Sequence, residues 1–162
     1  MIHKIKGLDE LLKDVSHHKK EGKKIVFTNG CYDLLHVGHV RCFKEGKTLG
    51  DTLIVAINSD RSVRALKGSP RPIVPEKERA EIIAALECVD FVTIFEQDDP
   101  LEIISAIKPD ILVKGGDWAL NTIVGRDIVE SYGGKVIALP LVPGVSTTRI
   151  IETIASHLSL KR

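Results

Sequence analysis

The sequence predicts an α/β fold: one open, doubly wound domain whose five-stranded parallel sheet is flanked by helices. Three observations lead there. Short runs rich in Val and Ile alternate with longer stretches of helical period, the pattern of βαβ units. The first such run, KKIVFTN over residues 23 to 29, is nearly continuous in apolar residues, as a central strand covered on both faces requires. A chain of 162 residues suits one domain, residues 1 to 162, so fold and function share one core.

In chain order, the segment from Leu8 to about Lys20 carries Leu11, Leu12 and Val15 on one side and reads as a helix laid against the sheet edge. The first strand follows, then DTLIVAIN from Asp51 as the second. Lys67-Gly68-Ser69-Pro70 reads as a mobile loop. Pro75 with Glu76 and Glu78 starts a crossover helix whose buried stripe is Ala80, Ile83, Ala84 and Leu86. VDFVTIF from Val89 is the third strand. Asp99-Pro100 caps and starts the next helix, with Glu102 in its first turn and Pro109 stopping it before the fourth strand, DILVK from Asp110. KVIALPL from Lys135 is the fifth strand, and a last helix from about Thr147 is expected to bury Ile150, Ile151, Ile154 and Leu158.

Composition narrows the function. With 23 basic and 22 acidic residues the net charge is +1, too balanced for a protein held mainly by the phosphates of long nucleic acids. No apolar run approaches the roughly 18 residues of a membrane span, and the polar start MIHKIKGLDELLKDVSHHKK does not fit a signal peptide, so a cytoplasmic protein without a membrane partner is expected. Cys31, Cys42 and Cys88 are odd in number, widely spaced and without a CxxC pair, which fits reduced, packed thiols. The run His17-His18-Lys19-Lys20 reads as surface, since adjacent helical residues do not face one way.

The densest cluster of unusual residues is TNGCYDLLHVGH, from Thr28 to His39, directly after the first strand. In an open parallel sheet, ligands bind beyond the carboxyl ends of strands, where helix N-termini offer free N–H groups to anions. With a helix starting near His36 or Val37, His36 and His39 sit three apart and can grip neighbouring oxygens of one polyphosphate. The alternative is that the two rings cap the helix or pack as neutral groups. Gly38 between them costs a helix interior roughly 0.5 to 1 kcal/mol, which the close approach of a phosphate to the backbone would offset. Walker A and GxGxxG are both absent, so a different phosphate cradle is needed.

NGCYDLLHVGH resembles the HxGH signature of the nucleotidyltransferase superfamily, which includes cytidylyltransferases, pantetheine-phosphate adenylyltransferase and class I aminoacyl-tRNA synthetases. INSDRSVRALKG from Ile57, RPIVPEKERAEIIAALECVDFV from Arg71, LVKGGDW from Leu112 and VSTTRII from Val145 resemble one branch, the adenylyltransferases of bacterial ADP-heptose synthesis. The resemblance covers roughly residues 20 to 155 and implies a Rossmann-like fold. It also implies transfer of AMP from ATP to D-glycero-D-manno-heptose 1-phosphate with release of pyrophosphate. Some relatives fuse this domain to a sugar kinase; the length here suggests a free-standing transferase. Mg2+ is expected to arrive largely on ATP, because no compact carboxylate cage is visible. A homo-oligomer is the assembly the resemblance suggests. The rival readings are a cytidylyltransferase acting on glycerol 3-phosphate or a similar ester, and a nucleotide-binding module without turnover; KGGDW occurring together with the STT signature favours the adenylyl transfer.

Carried over motif by motif, His36, His39 and Lys114 are the expected catalytic residues. Thr28, Asn29, Gly30, Asp33, Gly38, Asp60, Gly116, Asp117, Ser146, Thr147 and Thr148 are expected around ATP. Arg71, Arg79 and Trp118 are expected at the sugar phosphate, where a guanidinium gives a bidentate grip and an indole a stacking surface. Local alternatives stand beside several of these: Asp33 as a cap of the following turn, Ser146 and Thr147 as ordinary helix caps, Lys114 to Asp117 as a tight turn, and Arg79 paired with a carboxylate.

Overall fold

The computed structural model describes residues 2–116, 119–140 and 142–159. Five strands form one wholly parallel sheet: β1 (Ile25–Gly30), β2 (Thr52–Asn58), β3 (Phe91–Phe95), β4 (Ile111–Gly115) and β5 (Lys135–Leu139). Their spatial order is β3-β2-β1-β4-β5, so the predicted first strand does lie at the centre and the winding reverses between β1 and β4. In register, Phe27 of β1 lies between Ile54 of β2 and Leu112 of β4.

Alternate side chains of β1 enter two separate cores, which explains its continuous apolar run. Ile25 and Phe27 join Leu11 and Val15 of α1 (Leu8–Lys20), Ile103, Ile104 and Ile107 of α5 (Leu101–Ile107) and Val129 of α6 (Arg126–Ser131). Val26 faces the other way, with Phe43 of α2 (Val37–Thr48) and Ala80, Ile83 and Ala84 of α4 (Glu76–Ala84). Between β2 and α4 lies α3 (Asp60–Lys67), capped by Ser59, whose hydroxyl accepts from the Ser62 amide. Asp99 Oδ1 accepts from Leu101 N at 2.9 Å at the start of α5, with Pro100 at the N-cap position, one residue before the first helical position expected for it.

Two expectations about helices need correction. Helix α1 lies on a face of the sheet, with Leu11 and Val15 in the core and His18 against the Phe91 ring of edge strand β3; the residues before it pair with that edge, where Ile5 bridges to Val92 and Lys6 N donates to Val92 O. In α7 (Thr147–Ser159) Ile150 and Ile151 are half-buried, whereas Ile154 and Leu158 are 52% and 62% exposed. Periodicity identifies the apolar face of a helix but not whether another layer is there to receive it. Among the described residues no helix is long and apolar enough to cross a membrane.

Candidate active site

The carboxyl end of β1 runs into a loop that turns at Tyr32, a non-glycine residue with φ of 46°. His36 is the extended residue capping α2, with φ −138° and ψ 170°, and His39 lies in that helix's first turn. Their imidazoles stack, centroid to centroid at 3.7 Å and 19° apart in plane. Glycine at position 38 makes this possible, because a Cβ there would stand 3.0 Å from Nδ1 and Cε1 of His36. The space over Gly38, expected to let a phosphate approach the backbone, is lined here by the His36 ring.

Burial holds both imidazoles below the usual histidine pKa, His39 down to about 4, with the neighbouring His36 adding to the effect on His39. Both rings are therefore neutral at pH 7. Among the described residues the Nδ1 atom of each is buried and has no hydrogen-bond partner. An orphaned buried N–H is costlier than an orphaned lone pair, which favours the tautomer with the proton on Nε2, where it can be donated to an anion.

A second segment closes on this loop from the far end of the chain. Thr147, the first residue of α7, donates from its hydroxyl to Leu34 O at 3.3 Å, two residues before His36. Ser146 caps the same helix by accepting from Arg149 N at 3.1 Å, and Thr148 is exposed in its first turn. From β4, Lys114 Nζ donates to Asn29 O at 3.0 Å, and burial holds its ammonium below the usual lysine pKa. The next turn is pinned where Gly116 N donates to Leu139 O at 2.9 Å. Asp117 and Trp118 lie outside the described residues.

Thr28, Asn29 and Gly30 are where the motif places them, at the strand end, but each has an internal task. The Thr28 hydroxyl lies 3.3 Å from that of Tyr32, Asn29 is 8% exposed with its carbonyl bonded to Lys114, and a Cβ on Gly30 would meet the Tyr32 ring at 3.0 Å.

The acidic and arginine candidates are bound to one another. Asp33 is buried: its Oδ2 accepts from Arg71 Nε at 2.5 Å, and its Oδ1 from the amides of Ile73 and Val74 at 2.8 and 2.9 Å. It thus organises a loop some 40 residues away instead of capping the turn beside it. Arg79 is 1% exposed and donates to Val74 O at 2.9 Å, Cys31 O at 2.5 Å and Asp60 Oδ1 at 2.7 Å. Of the two roles expected for Arg79, the structure shows the pairing with a carboxylate: its guanidinium is a buried staple joining α4 to Asp60 and the β1–α2 loop. Asp60 receives that staple, with its own amide donating to Glu76 Oε2 at 2.6 Å. Apart from Arg79 with Val74, these partners stand 16 to 48 residues apart, so no local pattern in the sequence identifies them. Surface hollows of about 510 and 640 Å3 open at the opposite, amino end of the strands, lined by lysines such as Lys19 and Lys108 and by none of the strand-end cluster.

A cytidylyltransferase-like family model matches residues 27–153, from the central strand into α7. The chain belongs to the cytidylyltransferase-like family. This family member is 54% identical to a "Bifunctional protein HldE" of Pelobacter propionicus over 96% of the chain and 32% of that protein. It is 56% identical to a protein of the same name from Geotalea uraniireducens over 93% of the chain and 31% of the relative. The chain thus spans about a third of the length of the curated relatives it matches. Among solved structures it resembles a lipopolysaccharide core biosynthesis protein of Thermoplasma volcanium, with TM-score 0.59 and 28% identity over 75% of this chain and 98% of that one. Pantoate-beta-alanine ligase of Francisella tularensis, at TM-score 0.64 and 16% identity over 98% of this chain and 79% of that one, shares the fold.

Proposed function

We propose that the chain, acting as one nucleotidyltransferase domain, transfers AMP from ATP to D-glycero-D-manno-heptose 1-phosphate and releases pyrophosphate. The observation that carries this reading is the stacked, neutral His36–His39 pair at the switch point of the sheet, with the α7 N-terminus tethered to the same loop by Thr147. The extensive identity to the bifunctional relatives supports the choice of substrate.

The chemistry fits a site without a general base. A phosphate monoester has a second pKa near 6, so at pH 7 it is already largely the nucleophilic dianion. One of its oxygens attacks the α-phosphorus of ATP, the bond from that phosphorus to the bridging oxygen breaks, and the electron pair leaves with pyrophosphate. The protein must hold two repelling anions in line and stabilise the charge that spreads over the equatorial oxygens. Nε2–H of His36 and of His39 donates to those oxygens, and Lys114 supplies positive charge from β4. The α7 N-terminus, with Ser146, Thr147 and Thr148, receives the β- and γ-phosphates. Thr28, Asn29, Gly30 and Gly38 shape the loop beneath the nucleotide, with Gly116 and Asp117 beside it. Arg71 and Trp118 face the sugar phosphate in this reading, Arg71 by exchanging its bond to Asp33 for one to the ester. Among the described residues no three His, Cys, Asp or Glu side chains stand together as a metal-holding set; Mg2+ belongs to this scheme as part of the ATP substrate. A cytoplasmic homo-oligomer acting on small molecules completes the proposal.

The test is pyrophosphate release with a panel of nucleoside triphosphates and phosphate esters. ATP with the heptose phosphate is expected to turn over, and His36→Ala or His39→Ala to lower kcat by about 100- to 1,000-fold. Preference for CTP, or unaltered turnover in a folded histidine variant, would overturn the proposal.

A further inference from the structure

The residue that ties this site together is one to which the transfer chemistry assigns nothing. Tyr32 packs its ring edge-on against His39, centroids 5.1 Å apart at 87°, and against Phe43 on another side at 5.0 Å and 66°. Its hydroxyl lies 3.3 Å from that of Thr28, and Gly30 leaves the room its ring occupies. The backbone at Tyr32 has φ of 46°, a left-handed conformation that a bulky side chain seldom adopts. Such strain persists only where the surroundings over-determine it, and it concentrates at functional sites. Here the surroundings are the strand end, the α2 core residue Phe43 and one of the two imidazoles.

We propose that Tyr32 is a positioning residue for His39: its ring is the wall that fixes the His39 imidazole in the stack with His36 and so aims Nε2–H at the reacting phosphate. The geometry gives the wall a reason to be aromatic. Among the described residues His39 Nδ1 is buried without a hydrogen-bond partner, so none of them orients the ring through a polar contact at that nitrogen. Its plane is held by the stack on one side and the Tyr32 ring at right angles to it. Tyr32 acts through His39 and does not itself touch the phosphates. The inference deepens the transfer reading above and rests on it for its kinetic consequences.

The experiment compares Tyr32→Phe, which keeps the ring, with Tyr32→Leu, which fills much of the volume without an aromatic edge. In pyrophosphate release with ATP and the heptose phosphate, Tyr32→Phe is expected to keep kcat within about 5-fold, since only a long hydroxyl contact is lost. Tyr32→Leu is expected to lower kcat by up to about 100-fold, the cost of a small misplacement of a catalytic group, while KM for ATP stays within about 3-fold. Carbon-13 relaxation of the His39 imidazole C–H groups supplies a readout independent of turnover. The ring is expected to be rigid in the wild type and in Tyr32→Phe, and mobile in Tyr32→Leu. If Tyr32→Leu does not fold, Tyr32→Met carries the same comparison. An equally rigid His39 ring in the folded Leu or Met variant, or loss of activity that appears as a KM effect alone, would overturn the proposal. Should the wild type show no transfer at all, the functional reading falls while the relaxation data still decide whether Tyr32 orders His39.

Discussion

Arg79→Met is the perturbation whose cost the structure specifies most fully. Arg79 is 1% exposed, and its three donor nitrogens reach Val74 O, Cys31 O and Asp60 Oδ1 within 2.5 to 2.9 Å. Methionine keeps much of the stem's volume and none of the donors. Breaking a buried ion pair by removing one partner costs about 3–5 kcal/mol, and the low end applies here because the Asp60 side chain is 27% exposed and regains water. The two carbonyls left without a donor add about 1 kcal/mol between them, since both sit near loops that can admit solvent. The total is about 3–4 kcal/mol, a large part of the roughly 5–15 kcal/mol that holds a typical domain together. Urea unfolding followed by circular dichroism measures it directly, and the midpoint of thermal unfolding is expected to fall by about 6–16 °C. A loss below about 1 kcal/mol would refute the staple. So would a stably folded variant whose only defect is a raised KM for the sugar phosphate, because that would return Arg79 to the substrate.

Other consequences follow from the same geometry. Since folding lowers the His39 pKa from 6.5 to about 4, the unfolded chain binds the proton more readily in that window. This contribution to stability is therefore complete above pH 6.5 and lost as pH falls toward 4, by at most about 3 kcal/mol, and the difference between wild type and His39→Asn in urea titrations at pH 7 and pH 4 isolates it. Gly38→Ala places a methyl 3.0 Å from the His36 ring, and kcat is expected to fall about 10-fold; an unchanged rate would show that the stack does not set the catalytic geometry. Asp33→Ala leaves the Ile73 and Val74 amides and Arg71 without their acceptor. Limited proteolysis is expected to cut residues 67–74 faster, with stability down by about 3 kcal/mol. In contrast, Ile154→Gln on the exposed stretch of α7 is expected to change stability by less than about 0.5 kcal/mol.

How much was legible in the sequence depends on whether the signal was local. Strand β1 declared itself because Ile25, Val26 and Phe27, buried on alternating faces, give consecutive apolar residues, and Asp99 ahead of α5 because a carboxylate and the amide it accepts from are neighbours in the chain. HVGH was legible for the same reason, since two imidazoles and the glycine between them lie within one helical turn. Arg79, Asp60, Asp33 and Arg71 were not: a charged residue in sequence looks the same whether it meets a substrate or a carboxylate brought to it by the fold. For α7 the apolar spacing is real, yet no single-chain pattern records that its second half runs beyond the core.

Composition, periodicity and one short motif thus determined the class of sheet, its central strand and the pair of histidines at its carboxyl end. Packing alone decided which polar groups remain available to a ligand, and that Tyr32 and Gly38 hold the two rings face to face. Those outcomes depend on which surfaces the winding of the sheet presses together, and contacts between distant segments leave no periodic trace along the chain.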